Sequence, residues 1–171
     1  MNNLVTVIDG FKISDLLIRG RFHVKHYDKH NNLIGEYDLQ NGVTTEGKNK
    51  LFDVMFHGST PVDPWYIGLI DNTGWTVEAA ADTLASHAGW TEFTSYSGSR
   101  KEWTEGAASS QSITNGTSVD FAITATGTLK GIFIASAASG SSGTLWATAD
   151  FASLVSVSNG DTLKITYTVN A

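Results

Sequence analysis

Three imidazoles within a short stretch, His23, His26 and His30, are the first candidates for chemistry, because neutral imidazole is a common metal ligand. Their spacing works against a shared ion. On a strand, His23 and His26 fall on opposite faces and His30 lies near a turn, so convergence would need a bulge or a neighbouring chain. No metal or cofactor site is expected from them. Asp82, Glu92 and Glu102 flank an aromatic segment, and paired carboxylates beside tryptophans are what a glycosidase would use for acid catalysis and sugar stacking. Carboxylates at this density also occur on ordinary surfaces, and Glu78 and Asp82 have a sufficient explanation if they begin a helix. Serines are plentiful and His87 follows Asp82, yet no G-x-S-x-G elbow marks a nucleophile. Neither G-x-x-x-x-G-K-[ST] nor G-x-G-x-x-G is present to cradle a phosphate. Asn115-Gly116-Thr117 matches a glycosylation acceptor but reads more simply as a turn. No catalytic residue is assigned, and no enzymatic activity is expected.

Composition narrows the classes further. The 171 residues suit one core, 41% are apolar, and cysteine is absent, which removes disulfides, thiolate metal sites and cysteine nucleophiles together. A formal charge of −6, with no run of Lys or Arg, offers a phosphate backbone little counter-charge, so nucleic acid is not an expected partner. No window reaches the roughly 18 apolar residues of a membrane span, and MNNLVTVIDGFKISD lacks the basic start and unbroken apolar core of a cleaved export signal.

The elements that would position these groups are mostly strands. Phe22 to Gln40 reads as a hairpin turning at Asn31-Asn32. Thr44 to His57 switches to helical period: Leu51 and Met55, and Phe52 and Phe56, form i, i+4 pairs, Thr44 or Thr45 can cap the start, and Gly58 suits the stop. Trp65 to Ile70 is a short apolar core strand closed by Asp71-Asn72-Thr73-Gly74. Glu78 to Ala88 is alanine-rich, with acids near its start and Gly89 after it, and predicts a second short helix that presents Trp90. Strand segments follow at Ser112-Ile113, Val119 to Ile123, Lys130 to Ala135, Thr144 to Phe151 and Leu163 to Val169. In the last of these, Leu163, Ile165, Tyr167 and Val169 form a period-2 apolar set. Ser136 to Gly143 is a low-complexity loop expected to move.

Fold class follows: mainly β, an antiparallel β-sandwich or jelly-roll-like single domain with one or two short inserted helices. Residues 22–171 would form the sandwich, and 1–21 either an N-terminal arm or a first strand. After residue 105 the only charged side chains are Asp120, Lys130, Asp150, Asp161 and Lys164. Such weakly charged strands invite association at an edge, which fits a surface covered by neighbours; a sandwich with a Thr/Ser outer face is the plainer alternative. Trp65 and Trp146 sit in strand-like apolar runs and read as core, whereas Trp75, Trp90 and Trp103 neighbour turns and charges. Those three, with Phe11, Leu16 and Leu17 of the apolar N-terminal segment, are the candidate interface.

The segment Trp65 to Trp103, above all AADTLASHAGWTEF from Ala80 to Phe93, and the ending SNGDTLKITYTV from Ser158 to Val169, resemble stretches of small β-rich virion structural proteins of tailed bacteriophages. The resemblance implies a non-enzymatic part of the virion, made in the host cytoplasm. A head decoration or cement protein at the capsid surface is the first expectation, binding the major capsid protein or other virion proteins and forming a homo-oligomer. A tail or head-fibre component that binds a host glycan through Trp75, Trp90 and Trp103 is the alternative. A small carbohydrate-active enzyme using Glu92 or Glu102 is the third, from a different class.

Overall fold

Alternation of apolar and polar residues along Arg19–Tyr27 (β1) buries Phe22, Val24 and His26 on one face, and β1 turns back into Leu33–Gln40 (β2). The computed structural model describes residues 17–171. Asp28 closes the hairpin, its carboxylate accepting from the backbone N–H groups of His30 and Asn32, while Asn31 takes the left-handed conformation at φ 63°. This is the hairpin read from the sequence.

The short Gly42–Val43 strand (β3) leads into the helix Thr45–Phe56 (α1). Thr44 caps the helix: its Oγ1 accepts from Gly47 N at 2.9 Å and donates to Leu145 O. Gly58 follows at φ 71°, the conformation that ends helices and suits glycine. The remaining strands are Trp65–Asp71 (β4), Thr91–Phe93 (β5), Lys101–Trp103 (β6), Ser112–Thr114 (β7), Val119–Ala122 (β8), Gly127–Ala135 (β9), Leu145–Val157 (β10) and Thr162–Asn170 (β11).

Two antiparallel sheets result. One runs β2-β1-β11-β7, with β8 also paired to β11; the other runs β3-β10-β9-β4-β5, with β6 also paired to β4. Their inner faces share a core of Phe22, Val24, Phe121, Leu163, Ile165 and Tyr167 from the first sheet, and Ile67, Leu69, Ile132, Ile134, Ala147 and Phe151 from the second. The architecture is the antiparallel sandwich expected, with one helix among the described residues.

The second predicted helix does not form. Glu78 to Ala88 instead makes turns and a Thr83↔Ser86 bridge, folded as part of a loop over the outer face of the second sheet. Local propensity loses to tertiary demand here. Leu84 and Trp90 are buried there with Ile70, Phe133 and Leu145. The backbone finds partners outside any helical ladder: Leu84 N donates to Glu46 Oε2, and Thr76 N to Gly89 O. A Cβ on Gly89 would strike Val77 O, so this glycine permits a close chain approach and does not end a helix. The Ser136 to Gly143 loop is likewise held, because Arg100 donates to the carbonyls of Ala137 and Gly140, both at 2.9 Å.

Candidate functional site

Most of the groups expected to do chemistry make structural bonds. His23 faces outward, 3.0 Å from both Glu36 and Asp38, while His26 faces inward, 2.9 Å from the Asp161 carboxylate. The two rings therefore lie on opposite faces, as their spacing dictates. No cluster of three metal-ligating side chains occurs among the described residues.

Glu92 is held by Arg100, whose Nε and Nη2 donate to its two oxygens at 2.8 to 3.2 Å, and it also accepts from Tyr96 Oη at 3.0 Å. Burial, with the Glu92 carboxylate beside it, pushes the Tyr96 phenol well above its ordinary range. Glu102 is exposed and pairs with Tyr66 across β4, whereas Glu92 pairs with Ile70. Four residues of strand separate the two positions by about 13 Å. A glycosidase pair stands closer, at about 5 to 9.5 Å. Asp82 accepts from Ala79 N and Trp90 Nε1, both at 2.9 Å, so its role is a turn clamp and not a helix start.

A second carboxylate cluster was missed in the sequence because its members come from three separate segments. Glu78 from the outer loop reaches Asp150 on β10, Trp75 Nε1 donates to Glu78 Oε1 at 3.2 Å, and Lys130 on β9 lies 2.9 Å from Asp150 and 4.4 Å from the Trp75 ring centroid. Burial first, then the facing Asp150 carboxyl, pushes Glu78 up to about 8. Glu78 is therefore largely protonated at neutral pH and fastens the loop to the sheet. From the sequence Glu78 begins a helix, and its pairing across the sheet is not legible there.

The tryptophans invert the expectation. Trp90 and Trp103 are core side chains, 2% and 6% exposed, and have no ring face free for a partner in this fold. Trp75 is half-buried beneath Lys130, and Leu17 is exposed. Phe11 and Leu16 lie outside the described residues. Trp65 and Trp146, read as core, are half-buried instead and line a cavity. The reason is the position of each residue in the sandwich: Trp90 is roofed by the outer loop, and Trp103 points between the sheets, while Trp65 and Trp146 flank the end where α1 lies.

That end carries an apolar cavity. A cavity of about 260 Å³ lies between α1, through Leu51 and Val54, the following Pro61 and Val62, and both sheets. Trp65, Trp103, Ile134 and Trp146 come from one sheet, and Ile113, Tyr167 and Val169 from the other. Its polar atoms are spoken for. Tyr167 Oη accepts from Trp146 Nε1 at 3.0 Å and Asn41 Nδ2 at 2.9 Å, and Trp103 Nε1 donates to Tyr167 O at 3.0 Å. Burial pushes the Tyr167 phenol far above its ordinary range, so it stays neutral. The lining is mostly apolar, with Lys50 also at the wall donating to Thr60 O at 3.2 Å, and it suits an apolar occupant.

Sequence and contact both explain why α1 sits there. Gly47 is its only fully buried residue, and a Cβ would strike Trp146 O, so the missing side chain lets the helix approach β10. Glu46 Oε2 then accepts from Leu145 N at 2.6 Å and Leu84 N at 3.1 Å, tying helix, strand and outer loop together. The helix turns Phe52, Met55 and Phe56 away from the fold, 58%, 64% and 80% exposed.

The fold is a two-sheet sandwich with an apolar helix face at one end, and Asp82, Glu92 and Asp161 are committed to structural bonds. Residues 42–169, 128 of the 171, match the family described as podophage GP4 fiber I protein gp80, and the chain belongs to that family. It is accordingly a bacteriophage virion structural protein. No curated protein matches the sequence.

Proposed function

We propose that this chain is a fibre component of a podophage virion, held by non-covalent contacts in which the exposed face of α1 meets another virion protein. The family match supports fibre over the head decoration role first expected. The carrying observation is the set Phe52, Met55 and Phe56, three large apolar side chains gathered on one helix and left open to water. Grouped exposure of this kind marks a protein interface more than scattered apolar residues do.

Its work is mechanical: buried area and shape hold it in place, and no bond is made or broken. Co-sedimentation with virions lacking the protein, with bound copies counted per particle and located by electron microscopy, tests the reading. Saturable binding at a few fibre positions is expected. Binding at many regular sites over the head would overturn it in favour of decoration. Phe52→Asp with Phe56→Asp should keep the melting temperature within about 2 °C, since both side chains are exposed, yet abolish incorporation.

A further inference from the structure

Lys130, Asp150 and Glu78 bring together the three groups of an amide-forming condensation: an amine, a carboxyl to receive it, and a second carboxyl beside them. A local irregularity puts the amine there. Along β4, pairing passes from Ile70↔Gly131 to Asp71↔Leu129, so β9 carries one extra residue. Leu129 and Ile132 therefore both face the core between the sheets, and Lys130 comes to the outer face with Asp150. Its Nζ lies 2.9 Å from Asp150 Oδ2 and 4.4 Å from the Trp75 ring centroid. Glu78 bonds Asp150 from the outer loop, and a Cβ on Gly131 would lie 3.3 Å from Glu78 Oε1, so this carboxyl sits directly over the strand pair. We propose that Lys130 and Asp150 condense into an amide that ties β9 to β10 within the chain, with Glu78 as the proton carrier.

The chemistry balances without a further reactant. The Lys130 side chain is only 16% exposed, and poor solvation of an ion pair favours its neutral form, in which the ammonium has passed a proton to Asp150. The freed Nζ lone pair attacks the Asp150 carboxyl carbon, already at contact distance, and the carbonyl electron pair moves onto oxygen. Burial keeps Glu78 protonated at neutral pH, so it has a proton to give to that oxygen and then takes one from the nitrogen. As the intermediate collapses, one carbon–oxygen bond breaks, Glu78 is restored as the acid, and the oxygen leaves as water on the side where Asp150 is 39% exposed. One amine and one carboxyl become one amide and one water, with nothing oxidised or reduced. Burial, the larger cause of the raised Glu78 value, persists once the bond has formed. The amide would stand where the ladder lapses, since β10 pairs with β9 at Asp150↔Gly131 and next at Val155↔Leu129, in a chain without cysteine to supply a covalent tie. Formed once inside the chain, it leaves the non-covalent hold on a partner unchanged.

Intact-mass spectrometry of the denatured full chain tests this. The native protein should weigh one water less than its sequence, and Lys130→Arg and Asp150→Ala should each restore the full mass while keeping the native far-ultraviolet dichroism. Trypsin gives a second readout, because Lys130 is the only basic residue between Lys101 and Lys164. The bonded chain should yield residues 102–164 as one peptide, one water light, whereas an unbonded chain is cut after Lys130. Fragmentation of that peptide should place the loss on Lys130 and Asp150. Glu78→Gln should slow formation by about a hundredfold or more when mass is followed after cell-free synthesis. Full sequence mass in the native chain, with cleavage after Lys130, would overturn the proposal and leave a simple ion pair. A water loss that persists in Lys130→Arg would place it elsewhere and overturn it equally, and an unslowed Glu78→Gln would overturn the role of proton carrier.

Discussion

Asn115 should be among the least replaceable side chains in the protein. Strand β11 is paired by β7 at Thr168 to Asn170 and by β8 at Thr162 to Ile165, which leaves a gap between them. Asn115 fills it with its own amide: Oδ1 accepts from Tyr167 N at 2.8 Å and Trp103 Nε1 at 3.2 Å, while Nδ2 donates to Thr117 O at 2.8 Å and Ile165 O at 3.2 Å. Asn115→Ala strands the Tyr167 N–H and the Ile165 carbonyl, both in fully buried residues, whereas Trp103 Nε1 keeps Tyr167 O. At about 1 to 3 kcal/mol for each buried group left unpaired, and with partial rescue by water, the loss should be roughly 3 to 5 kcal/mol. For a domain of this size that corresponds to a fall in Tm of about 6 to 20 °C. Urea denaturation at fixed m-value, paired with a thermal melt, measures it. Asn115→Asp keeps an acceptor but buries a charge and loses both donors. It should therefore be the worse variant at neutral pH and recover as pH falls and the carboxyl protonates. A loss below about 1 kcal/mol for the alanine variant would refute the view that this side chain substitutes for the strand ladder.

Glu78 should make stability fall with rising pH. Its folded value, about 8, lies above its ordinary one, so the native state holds the extra proton between the two, and stability present below about 4.5 is lost as pH rises through 8. Glu78→Gln should flatten that slope in melts from pH 5 to 9, and an unchanged slope would contradict the assignment. Arg100→Met leaves Glu92 largely buried without its partner and frees the Ala137 and Gly140 carbonyls, so it should cost about 3 to 5 kcal/mol, while adding Glu92→Met should recover much of this. Both are read by denaturant titration; a double variant as weak as the single would sink the argument. Gly47→Val should push α1 off β10, costing upward of about 2 kcal/mol and altering the near-ultraviolet dichroism of Trp146, with no change expected if the helix were loosely seated.

What the sequence by itself determined was periodic and local. The β1-β2 hairpin, α1 with its Thr44 cap and Gly58 stop, and the inward set Leu163, Ile165 and Tyr167 all follow from spacing and turn chemistry, because one buried face imposes its period wherever it occurs. The opposed placement of His23 and His26 was legible for the same reason. Tertiary structure decided the rest. Alanine content at Glu78 to Ala88 pointed to a helix, but the outer face of β4, β9 and β10 needed a roof, and burying Leu84 and Trp90 there outweighed propensity. Which tryptophans are open was equally non-local: Trp103 and Trp146 both lie on strands and both line the cavity, and only the way the two sheets close at that end leaves Trp103 buried and Trp146 partly open. The Glu78, Asp150 and Lys130 cluster and the amide of Asn115 bridging β11 unite residues far apart in the chain. Side-chain pattern records which face is buried; the partner across that face is set by how the sheets meet.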